Sequence, residues 1–261
     1  MTPRLSQAVL PGLPSSVKVP GYDRGAVTAG IVHLGIGAFH RAHQAVYTDA
    51  VLADDPAWGI VAASLRNPAT RDALEPQDGL YTLSIRSDGG ESLRVIGSVL
   101  RTIVAPEALE DLLGVMSDPA TRIVSLTVTE KGYCHDPATG ALNEAHSDII
   151  HDLSHPSHPR TAPGLIVEAL RRRRNAGVPP FTVMSCDNLP ANGRTVKRVL
   201  SRYAEMLDRD LRAFVREQVA CPSTMVDRIV PATTDEDRER ISRLLGATAA
   251  RPVMTEPFTQ W

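Results

Sequence analysis

One apolar run in this chain passes through two closely spaced glycines directly into a stretch with helical spacing. The run covers residues 31–34, the glycines are Gly35 and Gly37, and the helix-like stretch covers 42–52. This is the order of a β-strand, a phosphate-binding turn and a helix. Gly35 permits a tight turn, and Gly37, which has no Cβ, lets backbone N–H groups approach a pyrophosphate. Because His40 stands where a third glycine is usual, an ordinary strand–turn–helix remains an alternative.

Length and composition limit the class of protein. The 261 residues can bury a substantial core, and 43% hydrophobic and 22% charged residues are typical of a globular protein. A formal net charge of −2 gives no electrostatic reason to expect nucleic acid or an anionic membrane as a partner. Because we find no signal peptide, no membrane span and only three widely spaced cysteines, we expect a cytoplasmic location. The histidines lack the spacing of metal ligands, so we expect no metal.

Strands alternate with helices along most of the chain. The strands are predicted at 30–35, 58–64, 122–128 and 181–186, and the helices at 41–53, 70–74, 107–116, 164–174 and 192–219. An alternating pair, 81–86 and 92–99, predicts an antiparallel hairpin. Residues 1–29 are predicted to form an approach segment, and 134–160 a loop. The order predicts an α/β fold over residues 30–261: a Rossmann-type, doubly wound, mostly parallel sheet with an added antiparallel hairpin.

Polar residues follow two of the predicted strands, at 127–133 and at 185–188. The carboxyl ends of parallel strands face the ligand crevice of such a sheet, so these groups should converge on a bound dinucleotide. The amide of Asn188 has the chemistry to stabilise the oxygen of a ketone during hydride transfer, or to bond its own turn. Asp227 has the chemistry to orient such a site, or to pair with Arg228 or cap a helix.

The second predicted strand lacks the acid that usually accepts the adenosine ribose hydroxyls. Residues 64–68 contain no Asp or Glu, and Arg66 is instead suited to a 2′-phosphate. The sequence therefore leaves both NAD and NADP open as cofactors. It lacks the Tyr-x-x-x-Lys pair of short-chain dehydrogenases, the GxSxG motif of serine hydrolases and the phosphate loop of nucleoside triphosphatases.

Longer segments carry a more specific signal. Residues 33–44, 77–82, 123–133, 181–193, 223–231 and 256–261 resemble, in order, the amino-terminal domain of the polyol-specific long-chain dehydrogenases. That family includes mannitol 2-dehydrogenase and fructuronate reductase, also called D-mannonate oxidoreductase. The resemblance implies a Rossmann-type domain and metal-independent hydride transfer between NAD(P)H and a keto sugar or keto sugar acid.

The resemblance also implies site residues. It makes Asn188 one of two asparagines in an oxyanion hole and places Asp227 near the nicotinamide and a catalytic lysine. It also implies that residues 31–42 form the cofactor loop, with contacts from Ile31, Gly35, Ile36, Gly37, Ala38, Phe39, His40 and Arg41. The polar residues at the strand ends add Arg66, Thr129 and Glu130 to the predicted cofactor contacts.

The family's Lys…Asn…His motif has no counterpart in this sequence. We therefore expect that the helical carboxyl-terminal substrate domain is missing and that a surface it would cover is apolar. The alternative to an oxidoreductase is a non-catalytic dinucleotide-binding module, or a truncated remnant that needs a partner chain. Lys131 after Glu130, together with 222–224, favours D-fructuronate and D-mannonate over D-fructose and D-mannitol as substrates.

Overall fold

Two β-sheets organise the computed structural model, which describes residues 2–261. The strands are β1 (Ala29–Leu34), β2 (Gly59–Ser64), β3 (Tyr81–Ser87), β4 (Gly90–Ile96), β5 (Val99–Val104), β6 (Ile123–Leu126), β7 (Thr182–Ser185) and β8 (Val253–Thr255). The helices are α1 (Ala38–Ala42), α2 (Gln44–Val51), α3 (Ala69–Leu74), α4 (Leu109–Ser117), α5 (Thr129–Gly132), α6 (Ser147–Ser154), α7 (Ala162–Asn175), α8 (Asn192–Leu207), α9 (Arg209–Gln218) and α10 (Asp235–Leu245).

The larger sheet is parallel throughout and has the order β5-β2-β1-β6-β7. β1 lies at its centre, and its Leu34 pairs with Ala63 of β2 on one side and with Leu126 of β6 on the other. The strand order reverses direction at β1, so a crevice opens at the carboxyl ends of β1 and β6. The predicted Rossmann-type parallel sheet is confirmed.

The smaller sheet contains the predicted hairpin. β3 and β4 pair antiparallel from Tyr81 opposite Ile96 to Ser87 opposite Gly90, so the hairpin is also confirmed. β8, which comes from the far end of the chain, pairs parallel with β3. The hairpin therefore forms a separate three-stranded sheet rather than an edge of the larger one.

The apolar core lies on both faces of the larger sheet. Along β2, Val61 and Ala63 pack into a cluster with α4, α7 and α8, whereas Ile60 and Ala62 pack into a second cluster with the smaller sheet. This alternation is the period of two that a strand imposes on its side chains. In a third cluster, Leu5 from the amino-terminal segment packs with the smaller sheet and α10.

The helix predicted at 41–53 begins three residues earlier and is broken in two. His43 separates α1 from α2 with φ −119° and ψ −91°. The backbone carbonyl of Arg41 accepts a hydrogen bond from the Tyr81 hydroxyl, and that of Ala42 accepts one from the Arg228 guanidinium. Distant side chains thus bond the carbonyls at the end of α1.

Other predicted boundaries were also wrong. The stretch 92–99 is not one strand, because Gly97 donates its N–H to the buried Asp49 carboxylate and ends β4 before β5 begins. α6 lies within the predicted loop at 134–160. The long helix predicted at 192–219 is two helices, because the Asp208 side chain caps a new helix, α9.

Candidate functional site

The two glycines after β1 are required for different reasons. Gly35 has φ +102°, and a Cβ there would lie 2.2 Å from the carbonyl oxygen of Thr127. It therefore lets the turn press onto the end of β6. A Cβ on Gly37 would have as its nearest neighbour only the carbonyl oxygen of Gly35, at 3.8 Å. Gly37 is exposed, so its backbone is open to a ligand.

Two buried histidines, His33 and His40, lie on the interior side of this turn. The Nδ1 atom of His33 lies 2.8 Å from the Ser125 hydroxyl, and its Nε2 atom lies 2.8 Å from the Thr127 hydroxyl and 3.2 Å from the Gly35 carbonyl oxygen. The ring of His40 stacks on that of His33 with centroids 3.4 Å apart. Burial lowers the pKa of His40 to about 3 and lowers the pKa of His33 well below 6.5. Both rings are therefore neutral at pH 7.

Several side chains that were predicted to contact the cofactor lie elsewhere. His40 packs beneath the turn, and Ile31 packs in the cluster between the two sheets. Arg41 is buried, and its guanidinium donates to the carbonyl oxygen of Arg251. Phe39 stacks on His43. Each of these side chains packs against other residues or donates to a carbonyl oxygen of the domain, and none of them lines the cleft.

A cleft of about 450 Å³ lies over the carboxyl ends of β1, β2 and β6. It is lined by the backbone turn and by polar side chains from the loops after these strands. Of the predicted cofactor contacts, the cleft is lined by Gly35, Ile36, Gly37, Arg66 and Thr129, while Ala38 and Glu130 are exposed residues outside this lining.

Asp187, which follows β7, forms hydrogen bonds with residues that follow β6. Its carboxylate accepts hydrogen bonds from the backbone N–H of Val128 at 2.9 Å and of Thr129 at 3.3 Å, and from the Tyr133 hydroxyl at 2.7 Å. Thr129 has φ +63°, and the bond to its N–H holds that backbone in place. Burial raises the pKa of Asp187, whereas these hydrogen bonds act in the opposite direction.

A buried amide holds a second loop against the end of β7. The Nδ2 atom of Asn192 donates to the carbonyl oxygens of Thr224 at 3.0 Å and Asp187 at 3.1 Å, and its Oδ1 accepts from the Thr224 N–H at 3.0 Å. No local sequence pattern marks this role of Asn192, because Thr224 lies 32 residues further along the chain.

The two residues predicted to act in catalysis are both exposed. Asn188 directly follows Asp187 at the carboxyl end of β7. Asp227 pairs with Gln260 through the backbone in both directions, at 3.0 and 2.9 Å. The alternative pairing of Asp227 with Arg228 does not form, because Arg228 is buried and donates to the carbonyl oxygens of Ala42 and Glu256. The carboxylate of Asp227 is thus left on the surface.

The family model of the mannitol dehydrogenase Rossmann domain matches residues 29–261. The chain belongs to the mannitol dehydrogenase family. It is 46% identical to the uncharacterized oxidoreductase YeiQ of Escherichia coli (strain K12), over 95% of this chain and 52% of that protein. It is 47% identical to mannitol 2-dehydrogenase of Cereibacter sphaeroides, over 94% of this chain and 52% of that protein. The resemblance drawn from the sequence is confirmed.

Solved structures of similar proteins have the same fold. The Pseudomonas fluorescens mannitol 2-dehydrogenase, in a ternary complex with NAD and D-mannitol, matches with a TM-score of 0.95 and 41% identity, over 99% of this chain and 54% of that one. A substrate-free D-sorbitol dehydrogenase matches with a TM-score of 0.95 and 37% identity, over 98% of this chain and 54% of that one. The chain thus spans about half the length of the mannitol dehydrogenase relatives that it matches.

Large apolar side chains surround Asp227 on the surface of this mannitol dehydrogenase family domain. Met225 and Ile229 flank it along the chain with 68% and 63% of their surface exposed, and Phe258 and Trp261 flank its backbone partner, Gln260, with 52% and 45%. Adjacent exposed apolar side chains are typical of a contact surface. Across residues 2–261, no helix combines the length and apolar character needed to cross a membrane.

Proposed function

We propose that this chain is the cofactor-binding part of an oxidoreductase that transfers a hydride between a nicotinamide dinucleotide and a keto sugar or keto sugar acid. The observation that supports this most directly is the open turn at Gly35 and Gly37, which faces a cleft at the point where the strand order reverses. When bound, the dinucleotide supplies the hydride donor or acceptor. The solved relative that binds NAD and D-mannitol supports the same assignment.

The residues around the cleft fit such a cofactor. The exposed backbone at Gly37 leaves room for a pyrophosphate, since no neighbouring atom approaches within 3.8 Å of the position of a Cβ. Because α1 has only five residues, we attribute phosphate binding to the amides of the turn rather than to a helix dipole. The adenosine then lies toward the end of β2 and the nicotinamide toward Thr129 and Asn188, at the ends of β6 and β7.

Asn188 has the chemistry to act on the carbonyl group of the substrate. Its exposed side-chain amide donates a hydrogen bond to the ketone oxygen as negative charge develops there during hydride transfer. Asp227 acts as a positioning residue for the group that exchanges the proton. We assign the proton-transfer group to the second half of the longer protein, meaning a protein as long as the relatives. The same half would cover the apolar side chains around Asp227.

Two observations favour different substrates within this class. The relatives whose names state a substrate are mannitol and sorbitol dehydrogenases, which favours a polyol and its ketose. Lys131, however, is exposed and lines the cleft, and its ammonium group is suited to the carboxylate of a keto sugar acid such as D-fructuronate. Rates of NADH oxidation with D-fructose and with D-fructuronate, measured on a protein that includes the second half, distinguish these candidates.

Cofactor binding is tested by titrating the chain with NADH in a calorimeter. The substitution Gly37→Asp places a carboxylate against the pyrophosphate and should weaken binding by about a hundredfold, because apposed like charges cost several kcal/mol. Gly21→Asp is the matched control, since a Cβ there also meets no atom within 4 Å but lies outside the cleft. Equal NADH affinity in both variants, or no binding by the folded parent chain, contradicts the proposed function.

The catalytic role of Asn188 is tested in the longer protein. Asn188→Ala should lower kcat by about 10²-fold, as expected for one lost oxyanion donor, and leave the Kd for NADH unchanged. If kcat does not change, Asn188 is not the donor. If the parent protein binds NADH but oxidises it with neither substrate, the non-catalytic dinucleotide-binding module is the better description.

A further inference from the structure

A second cavity extends the cofactor cleft past the ends of β2 and β5. It has a volume of about 620 Å³ and contains Ala105 and Pro106 from the segment after β5 and Leu109 from α4. Arg66, Asp148 and Arg160 line both this cavity and the cleft over the glycine turn. Because three residues are shared, the two cavities are adjoining parts of one groove.

Three cationic side chains of this groove have no carboxylate partner in the part of the chain that the structure describes: Lys131 in the cleft, and Arg66 and Arg160 in the part that both cavities share. Arg66 and Arg160 are exposed, and neither forms an ion pair within residues 2–261. Other surface arginines do form ion pairs, as Arg71 does with Glu107 and Arg101 with Asp111. Asp148 is the one carboxylate that lines the shared part, so the two guanidinium groups exceed it in charge. His151 and His158 add ring nitrogens to the outer cavity.

The turn after β2 presents Arg66 and satisfies its own polar groups. The Ser64 hydroxyl donates to the Asn67 carbonyl oxygen at 2.6 Å, and Asn67 Oδ1 accepts from the Ala69 N–H at 2.8 Å. The side chains of Ser64 and Asn67 are therefore already hydrogen-bonded within the turn. No carboxylate of residues 64–69 is available to accept hydrogen bonds from the two hydroxyls of a ribose.

We propose that Arg66 and Arg160 form a subsite for the 2′-phosphate of NADP(H), and that this chain prefers NADP(H) to NAD(H). This inference rests on the proposed function, because it uses the same cleft and the same direction of the dinucleotide. The adenosine ribose of such a cofactor lies at the end of the second strand of the sheet, where Arg66 is. A guanidinium group binds a phosphate dianion through two parallel, charge-assisted hydrogen bonds.

The two arginines reach the subsite from different parts of the fold. Arg66 belongs to the turn after β2, and Arg160 lies just before α7. The backbone N–H of Arg160 donates to the buried Asp152 carboxylate at 2.9 Å, which fixes the start of its side chain. Substituting either side chain leaves these backbone contacts in place, so each variant is expected to fold.

The test is a parallel calorimetric titration of the chain with NADPH and NADH. We expect NADPH to bind at least about tenfold more tightly, the order expected for one charge-assisted contact. Arg66→Leu and Arg160→Leu should each remove about tenfold of the NADPH affinity and leave the NADH affinity unchanged. Arg216→Leu, on α9 and outside the groove, is the matched control and should change neither affinity. Circular dichroism checks that each variant is folded.

The outcomes separate this inference from the proposed function. Binding of NADH with equal or higher affinity than NADPH overturns the inference and leaves the proposed function standing. A loss of NADH and NADPH affinity by the same factor in Arg66→Leu assigns that side chain to the pyrophosphate and also overturns it. No binding of either dinucleotide by the folded chain overturns the proposed function and the inference together.

Discussion

The glycine turn and the surface that carries Asn188 and Asp227 differ in how completely this chain builds them. At the glycine turn, His33 contacts Ser125, Thr127 and Gly35 from beneath, and its ring is itself covered by His40. On the second surface, Asn188 and Asp227 are exposed, and large apolar side chains around Asp227 are exposed as well. Under the proposed function, the turn that binds the cofactor is built within this domain, whereas the reacting end around Asn188 and Asp227 needs further contacts before its groups are held at the precision that catalysis requires.

The largest expected effect on stability is at the glycine turn. Gly35→Ala should lower the free energy of unfolding by about 3 kcal/mol, because the residue has φ +102° and its Cβ would meet the Thr127 carbonyl oxygen. Gly37→Ala, two residues away, should change it by less than about 0.5 kcal/mol, because its Cβ enters open space. Urea unfolding of both variants measures the difference. Equal stabilities would show that the turn is not pressed onto β6.

A second pair of variants compares two asparagines near the reacting end. Asn192→Ala should lower the free energy of unfolding by about 2 kcal/mol, because it leaves the Thr224 N–H and two carbonyl oxygens without their partner. Asn188→Ala should change it by less than about 0.5 kcal/mol, because that side chain is exposed. The same unfolding experiment measures both. A large loss in Asn188→Ala would mean that this residue stabilises the domain.

The buried rings predict a pH dependence that belongs to the glycine-turn end. The pKa of His40 is about 3 in the folded chain and 6.5 in the unfolded chain, so acid favours unfolding. This contribution to stability is complete above pH 6.5 and decreases by about 1.4 kcal/mol per pH unit as the pH falls toward 3.

His40→Phe keeps a ring against His33 and removes the titrating group. Unfolding measured at pH 7.5 and 5.5 should therefore show a smaller loss of stability in this variant than in the parent chain. His155→Phe, at an exposed position, is the control and should leave the loss unchanged. If His40→Phe behaves like this control, the ring of His40 is protonated in the folded chain.

The sequence predicts the parts of the fold that depend on local patterns. β1, β2, β6 and β7 are apolar runs rich in β-branched residues, and the turn after β1 is marked by its own glycines. β5 was missed because only Gly97 and Ser98 separate it from β4, and the sequence does not show that it pairs with β2. The break at His43 was missed because the side chains that bond the carbonyl groups there, Tyr81 and Arg228, are distant along the chain.

The candidate site shows the same limit. Gly35 and Gly37 were found because a tight turn and an open backbone need glycine at those places. His40 and Arg41 were predicted to contact the cofactor because the family resemblance places them in its loop, but His40 stacks on His33 and Arg41 donates to the carbonyl oxygen of Arg251. Asp187 and Asn192 act through contacts between loops that are far apart in the sequence. No local pattern encodes such contacts.

Residues 228–260 contact and stabilise the two helices that follow the glycine turn. Arg228 donates to the Ala42 carbonyl, Arg41 donates to the Arg251 carbonyl, and His43 contacts the Gln260 carbonyl at 2.7 Å. The larger sheet, in contrast, is complete once β7 has been made. A chain that emerges from the ribosome can thus form all five strands of the parallel sheet before the residues that contact α1 from the far end of the domain have been made. The glycine turn precedes most of the sheet in the chain, yet the helices that follow it gain these contacts only once residues 228–260 are present.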